Sequence, residues 1–153
     1  MTSAIVNFSS AHLDMLNACD VSKEGILTNH GFREFIFVTI FKNNFLLGIL
    51  GCKFIHAGLC ELYAVPDVVN SRKYNISFHR SVVGMINKLM KKSSFRRLQL
   101  LVDVDFPEGQ KWAKRLGFEY EATLKKYSEK GIDQFLYVRF RYWAIQQYQP
   151  LWQ

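Results

Sequence analysis

Trp112-Ala113-Lys114-Arg115-Leu116-Gly117-Phe118-Glu119 is the stretch on which the reading of this chain turns. Pro107 suits the first turn of a helix, where a missing N–H costs nothing, and Glu108 complements that helix's positive end. Gly117 is the natural C-cap, so the spacing predicts a helix from Pro107 to Leu116. Before it, Leu98–Val104 is a nearly continuous apolar run, as expected of a strand at the centre of a sheet. After it, Phe118–Tyr127 and Gln134–Trp143 read as two strands joined by Glu129-Lys130-Gly131-Ile132-Asp133.

Phe78–Met90 carries apolar residues at 78, 82, 85/86 and 89 with Lys and Arg on the other face, a helical period. Leu59–Val65 before it reads as a strand that Pro66 ends. Strand, helix and strand in this order form a βαβ unit, so Leu59–Val65 and Leu98–Val104 are expected as parallel neighbours. Arg33–Phe41 and Phe45–Phe54 read as a hairpin turning at Asn43-Asn44, residues that tolerate positive φ. Gly48 and Gly51 within its second strand point to a bulge or to close packing. Ala4–Phe8 reads as a first strand. Ser9 or Ser10 caps a helix over Ala11–Ala18 with Leu13, Leu16 and Met15 on its buried face, and a short second helix is expected near Gly25–Asn29. The fold class is α/β (α+β): a mixed, mostly antiparallel sheet of six or seven strands flanked by helices. One domain is expected over residues 1–145, with a tail over 146–153.

With 153 residues, nearly half of them hydrophobic, the chain is large enough to bury a core and too apolar to be disordered. No apolar run reaches the ~18 residues of a membrane span, and the start, Met1-Thr2-Ser3-Ala4, has no secretory pattern. Cys19, Cys52 and Cys60 show no metal-ligand spacing and read as reduced and buried, which points to synthesis in the cytoplasm. The net charge of +7 is partly local: Arg72-Lys73, His79-Arg80, Lys88, Lys91-Lys92 and Arg96-Arg97 surround one predicted helix, favouring a local anionic ligand over a diffuse basic surface. Nucleic acid fits less well, because aromatics do not interleave with those basic residues.

The order Glu61-Leu62-Tyr63-Ala64-Val65, basic loop, amphipathic helix, Leu98–Val104, Trp112-x-x-x-Leu116-Gly117-Phe118 and Gly131-x-Asp133-x-x-x-Tyr137 resembles the back half of the GCN5-related N-acetyltransferase (GNAT) family. It is most similar to small acetyltransferase-like proteins of tailed bacteriophages. The resemblance spans roughly Phe35 to Phe140. It implies transfer of an acetyl group from acetyl-coenzyme A to an amine acceptor, small molecule or protein, by direct attack. It equally implies a catalytically inactive phage protein that serves in the virion or binds a phage or host protein partner, in the host cytoplasm or carried in the particle. The aromatic strand Phe135–Trp143 offers a surface for a homodimer.

Family members place a glycine signature before the central helix to cradle the coenzyme A pyrophosphate. The matching segment here is Arg72-Lys73-Tyr74-Asn75-Ile76-Ser77, in a loop expected over Val68–Ser77. Asn75 stands for the first glycine and Ser77 for the second small residue, and Asn tolerates the positive φ a cradle needs. The plain alternative is a capped loop with a solvated basic face. By the same resemblance Tyr63 and Val65 lie on the strand that flanks the cofactor, and Glu61 is the candidate general base. Glu61 also reads as an exposed strand carboxylate. The tyrosine that many members use as general acid is replaced by Ala113, and Trp112 reads as core or as a wall of the cofactor cleft.

Overall fold

The computed structural model describes residues 3–18, 23, 26, 35–92 and 94–141. Seven strands form one sheet in the order β1-β2-β3-β4-β5-β7-β6: β1 Ala4–Asn7, β2 Phe35–Lys42, β3 Phe45–His56, β4 Leu59–Pro66, β5 Arg97–Asp103, β6 Glu119–Leu124 and β7 Gln134–Phe140. Helices α1 Ala11–Met15, α2 Asn70–Lys73, α3 Asn75–Lys92 and α4 Pro107–Arg115 accompany them among the described residues. β1–β2, β2–β3, β5–β7 and β6–β7 pair antiparallel, and β4 and β5 are the expected parallel neighbours. Their ladder covers only Leu59–Glu61 against Arg97–Gln99. Among the described residues no helix is long and apolar enough to cross a membrane, and no group of three or more His, Cys, Asp or Glu could hold a metal.

The chain divides into two compact units. The first is Met1–Phe54 with Leu62–Lys91, the second Ile55–Glu61 with Lys92–Gln153, so β4 contributes to both. In the first unit, the β2–β3 hairpin turns where expected, with Asn43 at φ 50° and Asn44 at φ 65°. Just before the turn, the β2–β3 register shifts between Ile40 and Phe41, opposite Gly48 and Leu46. Gly48 packs closely, since a Cβ there would stand 2.8 Å from the Phe78 ring and 2.9 Å from the Val65 carbonyl oxygen. Leu13, Leu16, Ile26, Leu46 and Ile49 form one buried cluster. Met15 does not join it: α1 is one short turn, and Met15 is exposed. Nor do the serines cap α1 as expected. Ser10 stands at the N-cap without a side-chain bond, and the Ser9 N–H donates to His12 Nδ1 at 3.1 Å. α3 buries Phe78, Val82 and Ile86, as the period predicts, and ends its buried face at Met90, with the expected Leu89 only half-buried.

In the second unit, Pro107 opens α4 and Gly117, at φ 87°, ends it. Ala113, Leu116 and Phe118 are buried. The β6–β7 connection is fixed by Asp133, which accepts from the Lys126 N–H at 2.8 Å and from Lys125 Nζ at 3.0 Å. Those bonds hold its carboxyl below the usual carboxylate range, the backbone bond first. Gly131, at φ 73°, and buried Tyr137 account for the rest of that motif. Cys60 here and Cys52 in the first unit are buried but each disulfide-bonded, which corrects the expectation of reduced thiols. Spacing along the sequence does not report which sulfurs folding brings within bonding distance. Of the short helix expected near Gly25–Asn29 only Ile26 is described, buried and in helical conformation, while Cys19 and the 146–153 tail lie outside the described residues.

Candidate functional site

The segment expected as a loop over Val68–Ser77 is helical, and Asp67 is the reason. Its carboxylate is fully buried. Oδ1 accepts from the Val69 N–H at 2.9 Å and the Asn70 N–H at 2.7 Å, which starts α2. Oδ2 accepts from the Asn17 backbone N–H at 2.8 Å and from Asn17 Nδ2 at 2.9 Å. A buried carboxylate with four donors satisfies the first turn of α2 far better than a flexible loop would. Asn70 adds a bond from Nδ2 to the Leu46 carbonyl at 3.1 Å.

Tyr74, at φ −116°, then bends the chain into α3, which begins at Asn75. Asn75 has no positive φ; its Oδ1 accepts from the Ile76 N–H at 2.7 Å. The positive φ expected at Asn75 is therefore corrected: side-chain capping, not left-handed backbone, shapes this turn. The backbone donors of Ser71, Tyr74, Ile76 and Phe78 all bond within the segment.

Arg72 and Lys73, the basic pair of α2, are exposed, and neither meets a carboxylate among the described residues. Lys73 Nζ lies 5.1 Å from the Phe45 ring centroid and 5.3 Å from that of Tyr74. Ser77 Oγ accepts from Lys42 Nζ, and Ser81 Oγ donates to the Ser77 carbonyl at 2.9 Å. Ile76 is 65 % exposed. Tyr63, 37 % exposed, packs its ring 6.1 Å from Phe35, and half-buried Val65 packs on the core cluster. The first unit thus brings Arg72, Lys73, Tyr74, Asn75, Ile76 and Ser77 into one basic, aromatic surface. To it the fold adds Lys42 and Phe45, which the sequence reading missed. The only sequence signal for them was their place beside the Asn43-Asn44 turn.

Glu61 stands in the second unit. Its Oε2 accepts from Gln99 Nε2 at 2.7 Å, and Gln99 Oε1 accepts from Arg97 Nε at 3.2 Å. Arg97 in turn grips both oxygens of Glu121, at 3.0 and 2.8 Å. Glu61 is a half-buried carboxylate oriented by a network, not a solvated strand residue. Gln99, Arg97 and Glu121 were not singled out from the sequence. Ala113, at the position of the family's tyrosine, is buried in the second unit, while Trp112 is half-buried.

No protein-family model and no curated protein matches this sequence. Solved structures do. The ribosomal L7/L12 alpha-N-protein acetyltransferase RimL, in complex with coenzyme A, superposes with a TM-score of 0.71 at 15% identity over 92% of this chain and 94% of its own. The Salmonella typhimurium acetyltransferase that modifies the N-terminal serine of L7/L12 gives 0.72 at 16% identity over 92% and 95%. A chimera of the Vibrio cholerae spermidine N-acetyltransferase SpeG with hSSAT gives 0.74 at 11% identity over 95% and 99%. At such identities the similarity establishes the fold, which is that of these GNAT acetyltransferases.

Proposed function

We propose that this chain is a GNAT-family N-acetyltransferase that moves an acetyl group from acetyl-coenzyme A to an amine acceptor. The observation that carries this reading is the pairing of that fold with Arg72 and Lys73, two cations without a carboxylate partner among the described residues, at the segment where the family holds its cofactor. Two unpaired cations suit a diphosphate. The acceptor nitrogen attacks the thioester carbonyl carbon, the N–C bond forms, and the C–S bond breaks to release the coenzyme A thiolate. Glu61 takes the proton the nitrogen loses, and the Gln99 amide keeps the carboxylate aimed. Ala113 supplies no acid, so the thiolate takes its proton from solvent. The solved relatives act, by their names, on a ribosomal protein N-terminus and on spermidine, which brackets the acceptor class as a primary amine.

Calorimetric titration of acetyl-coenzyme A tests the cofactor, and thiol release with a panel of primary amines tests the transfer. Micromolar binding and amine-dependent thiol release support the enzyme. One observation favours a second reading: the segment of the glycine signature is helical. On that reading the fold is kept as an inactive binding module for a phage or host protein, and acetyl-coenzyme A gives no heat even at millimolar concentration.

A further inference from the structure

Lys42, the last residue of β2, is half-buried and donates from its ammonium to the Ser77 hydroxyl. The same ammonium lies 5.8 Å from the Tyr74 ring centroid, while Lys73 Nζ lies 5.3 Å from it. The Phe45 ring, 5.9 Å from that of Tyr74, completes the cluster. Two ammonium groups thus converge on one aromatic ring, and neither meets a carboxylate among the described residues. Two other cations do meet carboxylates, Arg97 with Glu121 at 2.8 Å and Lys125 with Asp133 at 3.0 Å. Like charges gathered without a counter-ion repel, and partial burial strengthens both that repulsion and the pull on an anion placed between them.

The departure at Ser77 gains a meaning here. Where the family has glycine or alanine, Ser77 supplies the hydroxyl that holds Lys42 in place. The backbone donors of Ser71, Tyr74, Ile76 and Phe78 are used within the segment, so side chains carry a large share of meeting a phosphate. We infer that Lys42 is a phosphate-binding residue for coenzyme A, with Ser77 as its positioning residue. A side chain from the β2–β3 hairpin thereby takes the part of a glycine loop's backbone. This rests on the reading that the chain binds coenzyme A, and the probes below separate the two.

Coenzyme A and inorganic pyrophosphate are titrated by calorimetry into wild type, Lys42→Met, Lys42→Arg, Ser77→Ala and Lys91→Met, with the melting of each variant recorded. Lys42→Met should weaken both ligands by roughly 10- to 50-fold, the scale of one lost charge-assisted bond. Lys42→Arg should keep most of the affinity, and Ser77→Ala should lose roughly 3- to 10-fold. Lys91→Met, at the far end of α3, should stay within about 2-fold because of screening. Equal losses from Lys42→Met and Lys91→Met, or none from Lys42→Met with the fold intact, overturn the inference. If wild type takes up no coenzyme A, the acetyltransferase reading fails and pyrophosphate decides the rest: binding that Lys42→Met abolishes upholds the anion site, and absence of pyrophosphate binding to wild type sinks it.

Discussion

Asp67→Asn is the most informative single change outside the basic cluster. The substitution keeps the shape of the side chain and exchanges one accepting oxygen for an NH2 group. Each oxygen of Asp67 receives two N–H donors, so either orientation of the new amide sets its NH2 against two of them. Because Asn17 is exposed, the amide should turn its NH2 that way and let water serve Asn17, while the bonds from Val69 and Asn70 survive without the charge. Bonds to a charged acceptor contribute about 1.5–3 kcal/mol each, and water offsets part of the loss on the Asn17 side, which leaves a net cost of about 2–4 kcal/mol. For a chain of this length that lowers the melting temperature by roughly 5–12 °C. Circular dichroism melts of the two proteins check the number. A fall in coenzyme A affinity should accompany it, since Asp67 starts the helix that carries Arg72 and Lys73. A variant that melts within about 1 °C of wild type would refute the claim that this carboxylate organises the segment.

Asn75→Gly should cost about 1 kcal/mol of stability and leave coenzyme A binding no tighter, because Asn75 begins a helix; tighter binding in a titration would restore the glycine-cradle picture. Gly48→Ala drives a methyl group against the Phe78 ring and the Val65 carbonyl, and should cost about 1–3 kcal/mol in urea unfolding. An unchanged midpoint would mean β3 shifts freely. Burial, with a smaller push from Tyr120, raises the Tyr137 hydroxyl above its ordinary 10.0. The unfolded chain therefore loses this proton first, so stability is complete below pH 10.0 and falls as pH rises through the folded value. Unfolding curves on either side of that pH should show a shallower decline for Tyr137→Phe than for wild type, and identical slopes would contradict it.

What could be read from the sequence was whatever the backbone decides locally. Asn43-Asn44, Pro107 and Gly117 announce their conformations through their own φ preferences, and the alternation of apolar residues placed α3 and the parallel β4–β5 contact. What could not be read depends on partners far along the chain. Asp67 starts α2 because Asn17 meets its other oxygen, 50 residues away. Lys42 reaches Ser77 across 35 residues, and Glu61 is oriented by Gln99 across 38. The segment from Val68 to Ser77 looked like a loop because its polar residues lack an apolar period; its helicity comes from a tertiary acceptor that no local propensity encodes. The cofactor residues could be named only through resemblance, since nothing in Arg72–Ser77 alone distinguishes a ligand site from a basic helix.

The way β4 is shared between the two compact units bears on how the chain can fold and be dissected. Each unit is assembled from two separate stretches, Met1–Phe54 with Leu62–Lys91 and Ile55–Glu61 with Lys92–Gln153. A break anywhere between Ile55 and Lys91 therefore leaves neither unit whole, and no truncated fragment cut there can serve as a minimal domain. Closing Glu61 onto Gln99 spans 38 residues, an entropic cost of about 3 kcal/mol beyond a constant term, against a ladder of only three pairs. That short seam is expected to form after the hairpins β2–β3 and β6–β7 have settled, and its amides should exchange with solvent sooner than those of the longer β5–β7 ladder.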